Sequence, residues 1–233
     1  MSFTFAPPPQ AVVPVFNSDA LFPVHRIYCV GRNYEEHAKE MGATGREAPF
    51  FFTKPADAVF PVPESKPATL DFPVATHNLH HEIELVVALG KGGRNIAAAD
   101  AAQHIWGYAV GLDLTRRDLQ AEAKAHGRPW DTAKGFDQSA PITPIRPVAM
   151  TAPVDEAEIW LYVNNVKRQV GRVSQMIWSV AEVIEHLSQY YELQPGDLIF
   201  TGTPAGVSQV VAGDMLEGGV TGVGVLKLQL RQR

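Results

Sequence analysis

Nineteen glycines and eighteen prolines are spread along the whole chain and cut it into short segments. Both residues punctuate regular structure, so a fold built from long helices is excluded. The segments between them are rich in β-branched and aromatic residues. Arg26 to Val30 is one and stops at Gly31; Glu82 to Leu89, Tyr108 to Leu114, Glu158 to Asn164, Asp197 to Thr201 and Val223 to Leu230 are the others. Asn164-Asn165 and Pro195-Gly196 mark tight turns. Helical patterns are fewer: Tyr34 to Met41, Arg116 to His126, and Val180 to Tyr191 with Val183, Ile184 and Leu187 on one face. The strands do not alternate regularly with helices. That disfavours a doubly wound parallel sheet and predicts an α+β, β-rich mixed fold. Residues 1–24 carry Pro7, Pro8, Pro9, Pro14 and Pro23 and are expected as an extended arm before one domain, residues 25–233.

Of the 233 residues, 45% are hydrophobic and 19% charged, enough to bury a sizeable core. Twenty basic against 25 acidic residues give a net charge of −5, which argues against general nucleic-acid binding and a polybasic membrane anchor. The single cysteine, Cys29, excludes an internal disulfide framework and a cysteine-rich zinc site, and its place within a strand reads as core. No apolar run approaches the ~18 residues of a membrane span. MSFTFAPPPQ has neither the basic nor the apolar region of a secretory signal. The expectation is a soluble cytoplasmic protein.

The most informative stretch is residues 80–84, His-His-Glu-Ile-Glu. In a strand, residues two apart share a face, so Glu82 and Glu84 project side by side. Adjacent carboxylates repel and call for a proton or a cation between them. Asp113 ends another apolar strand, where an unpaired charge is costly. Three carboxylates with no nearby thiol describe a hard-cation site, Mg²⁺ before Zn²⁺. A solvated strand face carrying two glutamates fits the same spacing. A two-histidine, one-carboxylate centre from His80, His81 and Glu82 requires a bulge, because strand neighbours point in opposite directions; these histidines are expected to pack or bond to neighbouring loops.

Residues 33–42 read as a short helix, with Asn33 as N-cap, Glu36 at N3 and Gly42 closing it. His37 and Glu40 stand three apart on one face. A carboxylate beside an imidazole fixes its tautomer and raises its basicity, which suits a general base, although an ordinary surface pair has the same spacing. So short a helix is marginal alone and can serve as a lid. Lys134, flanked by aromatic and small residues, can bind a carboxylate or polarise a carbonyl, or snorkel at the surface. Arg117 follows Asp113 at a helix start, a place suited to an anion. Gly202 and Thr203 close the strand Asp197 to Thr201 and offer close backbone approach, an N–H and a hydroxyl. Residues 90–94 lack the Walker spacing and read as a hairpin turn; no G-x-S-x-G nucleophile elbow is present.

Taken together these residues resemble the fumarylacetoacetate hydrolase family. The matching stretches are Tyr28 to Tyr34 with His37 and Glu40, Phe52 to Pro55, His81 to Glu84, Gly107 to Thr115 with Arg117 and Asp118, Ala133 to Phe136, and Leu193 to Pro204. They run in family order over roughly nine-tenths of the chain. The resemblance implies strands rolled around a central cleft with a few peripheral helices, usually in a homodimer. It implies Mg²⁺, with Mn²⁺ possible, held by Glu82, Glu84 and Asp113. It implies His37 with Glu40 as a water-activating dyad on a lid, Lys134 neutralising an enolate or holding an acyl oxygen, and Thr203 gripping a substrate carboxylate, with Gly202 and Arg117 beside it.

Within the family the chain is similar to the acylpyruvate-hydrolase branch, which implies hydrolysis of a 2,4-diketo acid to pyruvate and a carboxylic acid, fumarylpyruvate in gentisate-type catabolism being the narrower expectation. Arg32, Lys54 and Arg128 are the candidates for a second substrate carboxylate. An oxaloacetate decarboxylase or an isomerase on the same metal site, and a non-catalytic binding protein on the same fold, are the alternatives.

Overall fold

The structure, a computed structural model, describes residues 2–36 and 46–233. Its centre is a mixed eight-stranded sheet. Along its path run Phe50–Lys54, Ile27–Gly31, Leu198–Phe200, Ile83–Leu89, Ile105–Leu112, Ala140–Ile142 and Val59–Pro61; Arg146–Pro147 adds to Ile105–Leu112. A second sheet has the order Val166–Arg172, Glu158–Val163, Met215–Val220, Gly224–Arg231 and Ala68–Asp71. Each expected strand is present within one to three residues of its expected ends. The architecture is the β-rich α+β fold expected, with few helices at its periphery.

The strand Ile83–Leu89 is the axis of the molecule. It pairs antiparallel with Ile105–Leu112 on one side and Leu198–Phe200 on the other, and every one of its residues is buried. Its alternation assigns its neighbours. Ile83 and Leu85 face the second sheet, packing with Ile159, Leu161, Leu216 and Leu228. Val87 and Leu89, on the same face further along, pack with Val183, Ile184 and Leu187 of the helix Val180–Tyr190. Val86 and Ala88, on the opposite face, meet Ile27, Cys29 and Phe200. Glu84 shares that face but stands at the strand's open end.

Local chemistry explains the element ends. Ser179 caps the helix Val180–Tyr190 by accepting from the Glu182 N–H, and the Glu182 side chain reaches back to Ser179, a capping box. Asn164 and Asn165 take φ of 50° and 63°, the type I′ turn that matches strand twist, and join Glu158–Val163 to Val166–Arg172. Residues 90–94 open the connection between two antiparallel neighbours, as a hairpin requires, but the connection is long and includes the 3-10 turn Ala98–His104.

From Val12 onward the expected arm is extended and bound to the body. Val12–Pro14 pairs with Leu21–Pro23, and Val13, Phe22 and Val24 are buried against the central sheet. Among the described residues no helix is long and apolar enough to cross a membrane.

Candidate active site

Glu82, Glu84 and Asp113 meet at the open end of the axial strands. The strand Ile83–Leu89 carries Glu84 and places Glu82 just before it; Asp113 follows the neighbouring strand Ile105–Leu112, and its N–H donates to the Glu82 carbonyl at 2.9 Å, fixing the two ends together. All three carboxylates are buried, at 6%, 2% and 1% exposure, and one oxygen of each lies within 4.8 Å of the others. A solvated strand face is therefore ruled out.

Among the described residues three cations surround the acids. Lys134 Nζ lies 2.7 Å from Glu82 Oε2 and 2.5 Å from Asp113 Oδ2. Lys54 Nζ, fully buried, lies 2.8 Å from Asp113 Oδ1 and donates to the Leu114 and Lys134 carbonyls. Arg117 Nη2 donates to Glu82 Oε1 at 2.7 Å, while its other nitrogens hold Gln120 and His80. Burial alone pulls the Lys134 ammonium down, but Asp113 and Glu82 outweigh it and hold the group well above the usual lysine range. Among the described residues no cation pairs with Glu84 in this way. Burial, then Asp113 and Glu82, push its carboxyl well above the usual range, and the Gly202 N–H, 2.7 Å from Oε2, offsets only part of this.

This donor set fits a hard divalent ion. Its donors are oxygens only, and Asp113 Oδ1 is buried without a hydrogen bond despite the nearby ammonium. Ligand oxygens around Mg²⁺ stand about 3 Å apart when adjacent and about 4 Å when opposite, given bonds of ~2.1 Å. Oxygens within 4.8 Å reach that geometry by closing at most about 2 Å.

The strand Leu198–Phe200 brings in the opposite wall. Gly202 has φ of +99°, and a Cβ there would lie 2.7 Å from the Asn33 Cβ. The residue must therefore be glycine for its N–H to reach Glu84. The Thr203 hydroxyl donates to the Ile83 carbonyl at 2.7 Å and accepts from Gln169 Nε2 at 2.8 Å. Its one proton is committed, so the donor left to Thr203 is its backbone N–H. Gly202→Ala is expected to destabilise the protein by about 2 kcal/mol or more, from backbone strain and the clash together, and to weaken metal affinity with it. Urea unfolding and metal titration check both; unchanged values contradict the role given to this N–H.

The two histidines turn away from the acids. His80 accepts from Arg117 Nε at 3.3 Å and bonds Asn78 at 2.9 Å; His81 is fully buried between Gln169 and Ser208, at 2.8 and 2.9 Å. Burial lowers both imidazoles to about 4, so they are neutral near pH 7. The two-histidine metal centre is excluded by this geometry.

One pocket is lined by Glu82, Glu84, Asp113, Lys134, Arg117, Gly202, Thr203 and Arg32, which brings together every expected site residue except His37 and Glu40; those two lie outside the described residues. Lys54 is corrected: it holds Asp113 from beneath and is closed off from any distal carboxylate. Asn33, expected as an N-cap, is fully buried, and its side chain bonds the Thr201 carbonyl and both the carbonyl and N–H of Trp178. It anchors the base of the segment leading to His37. Gln169 escaped the sequence reading. Its one available signal is a polar residue at an inward position of a strand, and its neighbours Lys167 and Arg168 disguise that strand as a solvent face.

Residues 26–231 match the family described as fumarylacetoacetate (FAA) hydrolase C-terminal. The chain is 49% identical to a fumarylpyruvate hydrolase from Pseudomonas aeruginosa crystallised with Mn²⁺ and pyruvate; all of each chain is covered, with a TM-score of 0.97. It is 40% identical over 208 residues to the mitochondrial oxaloacetate tautomerase FAHD1 of Arabidopsis thaliana, covering 89% of this chain and 92% of that one. A 5-carboxymethyl-2-hydroxymuconate delta-isomerase from Mycobacterium smegmatis is 31% identical, with coverage of 96% and 82% and a TM-score of 0.78. With the acidic cluster in place and the match spanning all but the first 25 residues and the last two, the chain belongs to the fumarylacetoacetate hydrolase family.

Proposed function

We propose that this chain is a divalent-metal-dependent hydrolase that cleaves a 2,4-diketo acid between C3 and C4, releasing pyruvate and a carboxylic acid, with fumarylpyruvate of gentisate-type aromatic breakdown as its substrate. The observation that carries the reading is the buried triad Glu82, Glu84 and Asp113 at the base of a cation-lined pocket. Full-length likeness to a fumarylpyruvate hydrolase with Mn²⁺ and pyruvate supports it. The working form is taken to be a cytoplasmic homodimer.

The triad would hold Mg²⁺ or Mn²⁺. When bound there, such a cation supplies Lewis-acid polarisation of the keto-acid oxygens. The protein's own groups do the rest. The Thr203 backbone N–H meets the C1 carboxylate, because the hydroxyl is committed to Ile83. His37, oriented by Glu40, takes a proton from water as the oxygen attacks the C4 carbonyl. The C3–C4 bond then breaks, its electron pair passes to the pyruvate enolate, and a proton returns to C3. The Lys134 ammonium has two of its three N–H groups on Glu82 and Asp113, which leaves one for the charge that develops.

The relatives that are an oxaloacetate tautomerase and an isomerase favour a second reading, proton transfer without C–C cleavage. A panel of acylpyruvates with Mg²⁺ separates the two. Loss of enol absorbance with equimolar pyruvate and acid release, greatest for fumarylpyruvate, is the expected result. Loss of enol absorbance without pyruvate contradicts hydrolysis and leaves tautomerisation.

A further inference from the structure

The helix Arg117–Ala125 turns Arg117, Gln120 and Lys124 to one side, at i, i+3 and i+7. The first two line the acid pocket. Lys124 stands two turns further out, about 10 Å along the axis at ~1.5 Å per residue. Its ammonium lies 5.0 Å from the centre of the Trp130 ring. Trp130 meets Phe50 edge to face, with centroids 5.5 Å apart, and the Arg32 guanidinium lies 5.8 Å from the Phe50 ring. Phe50, Trp130 and Arg32 all line the same pocket as the acids. An aromatic pair that lines the cleft thus carries one cation on each of its members, Arg32 in the lining and Lys124 against Trp130.

Among the described residues neither cation has a carboxylate at ion-pair distance, and the Glu82 charge reaches Lys124 only from further off. Arg32 Nε is buried without a hydrogen bond, and its backbone takes φ of 57°, a strained conformation for a side chain of this size. Such strain persists where surrounding structure enforces it, often at a binding site. Burial, and then the Arg117 and Arg32 charges, lower the Lys124 ammonium to about 8; it still carries its proton near pH 7. The other candidates are already engaged. Lys54 is held by Asp113, and Arg128 pairs with Glu122 at 3.3 Å on the surface.

We infer that Arg32 and Lys124 form a second anion site, which receives the distal carboxylate of a dianionic substrate whose keto-acid head lies over the acidic triad. The span from Arg117 to Lys124 is on the scale of an extended seven-carbon diacid. The inference rests on the diketo-acid reading for the head of the ligand, and it assigns the tail. Two unpaired cations meeting one carboxylate form charge-assisted bonds, while a neutral chain end leaves both cations desolvated and unpaired.

The test uses two non-cleavable seven-carbon keto acids that differ only at the far end, 2-oxopimelate with a carboxylate and 2-oxoheptanoate with a methyl. Both are titrated against the full-length magnesium-loaded protein by calorimetry. The expected result is at least about tenfold tighter binding of 2-oxopimelate, the worth of one or two charge-assisted hydrogen bonds. That preference collapses in Lys124→Met and is retained in Lys124→Arg. Equal affinities in the wild-type protein, or no measurable binding of 2-oxopimelate, overturn the proposal, as does a preference that survives Lys124→Met. The wild-type comparison decides even if Lys124→Met fails to fold. C–C cleavage of acylpyruvates is assayed separately. A dicarboxylate preference without cleavage keeps this site and defeats the hydrolase reading; cleavage without the preference does the reverse.

Discussion

Glu84→Gln is expected to abolish metal-dependent turnover, by roughly a thousandfold or more, while raising the melting temperature of the chelated protein. The two effects have opposite signs because one charge serves two states. Without a cation, Glu84 is a buried carboxylate facing Glu82 and Asp113, and among the described residues its close donor is the Gly202 N–H. Burial and like charge both disfavour its ionised form. Glutamine keeps the shape and an acceptor for that N–H and removes the charge, so the metal-free fold gains stability. The same change takes one of the three anionic ligands proposed for the ion, and loss of several kcal/mol of charge stabilisation corresponds to about 10³ in rate. Steady-state kinetics and thermal melts in chelator decide it. Activity within tenfold of the native protein, or a lower melting temperature, contradicts the role assigned to Glu84.

Lys134→Met is expected to do the opposite to stability. The lysine bridges Glu82 Oε2 and Asp113 Oδ2 from a position only 2% exposed. Removing one partner from a buried ion pair leaves uncompensated charge and costs about 3–5 kcal/mol. For a chain of this size that lowers the melting temperature by about 10 °C. A divalent cation placed among the same carboxylates restores much of the loss, so Mg²⁺ should raise the melting temperature more in the variant than in the native protein. Turnover stays depressed by about 10²-fold or more with the metal present, because the remaining ammonium N–H no longer meets the developing charge. A melting temperature equal to that of the native protein, with or without chelator, contradicts the bridging role.

The fold was legible where the signal is local. Alternation in residues 82–89 predicts a strand, and the structure makes it the axis of the central sheet because both faces find apolar cover. The apolar stripe Val183, Ile184 and Leu187 predicts the long helix within one residue of its end. Asn164-Asn165 predicts the turn, since asparagine tolerates positive φ. The packing of Val12–Pro23 on the body was not legible: proline content reports extension and says nothing of what an extended ribbon lies against.

In the site, the acidic triad was legible because two carboxylates interrupt apolar strands, where charge needs a reason. What surrounds it was not. Lys54 finds Asp113 across 59 residues of chain, and Lys124 reads as one more solvated helix lysine until Trp130 is folded beneath it. The Thr203 hydroxyl looks available in the sequence; only the Ile83 carbonyl, 120 residues earlier, shows that its proton is committed. Partners set by sheet register leave no mark on either sequence neighbourhood.

The most direct test is a crystal of the protein grown with Mn²⁺ and pyruvate, with anomalous data to locate the ion. One manganese per chain is expected, bonded by an oxygen from each of Glu82, Glu84 and Asp113 and by two oxygens of the keto acid. Manganese located elsewhere, or those three carboxylates bonded only to Lys54, Lys134 and Arg117 at saturating metal, would contradict it.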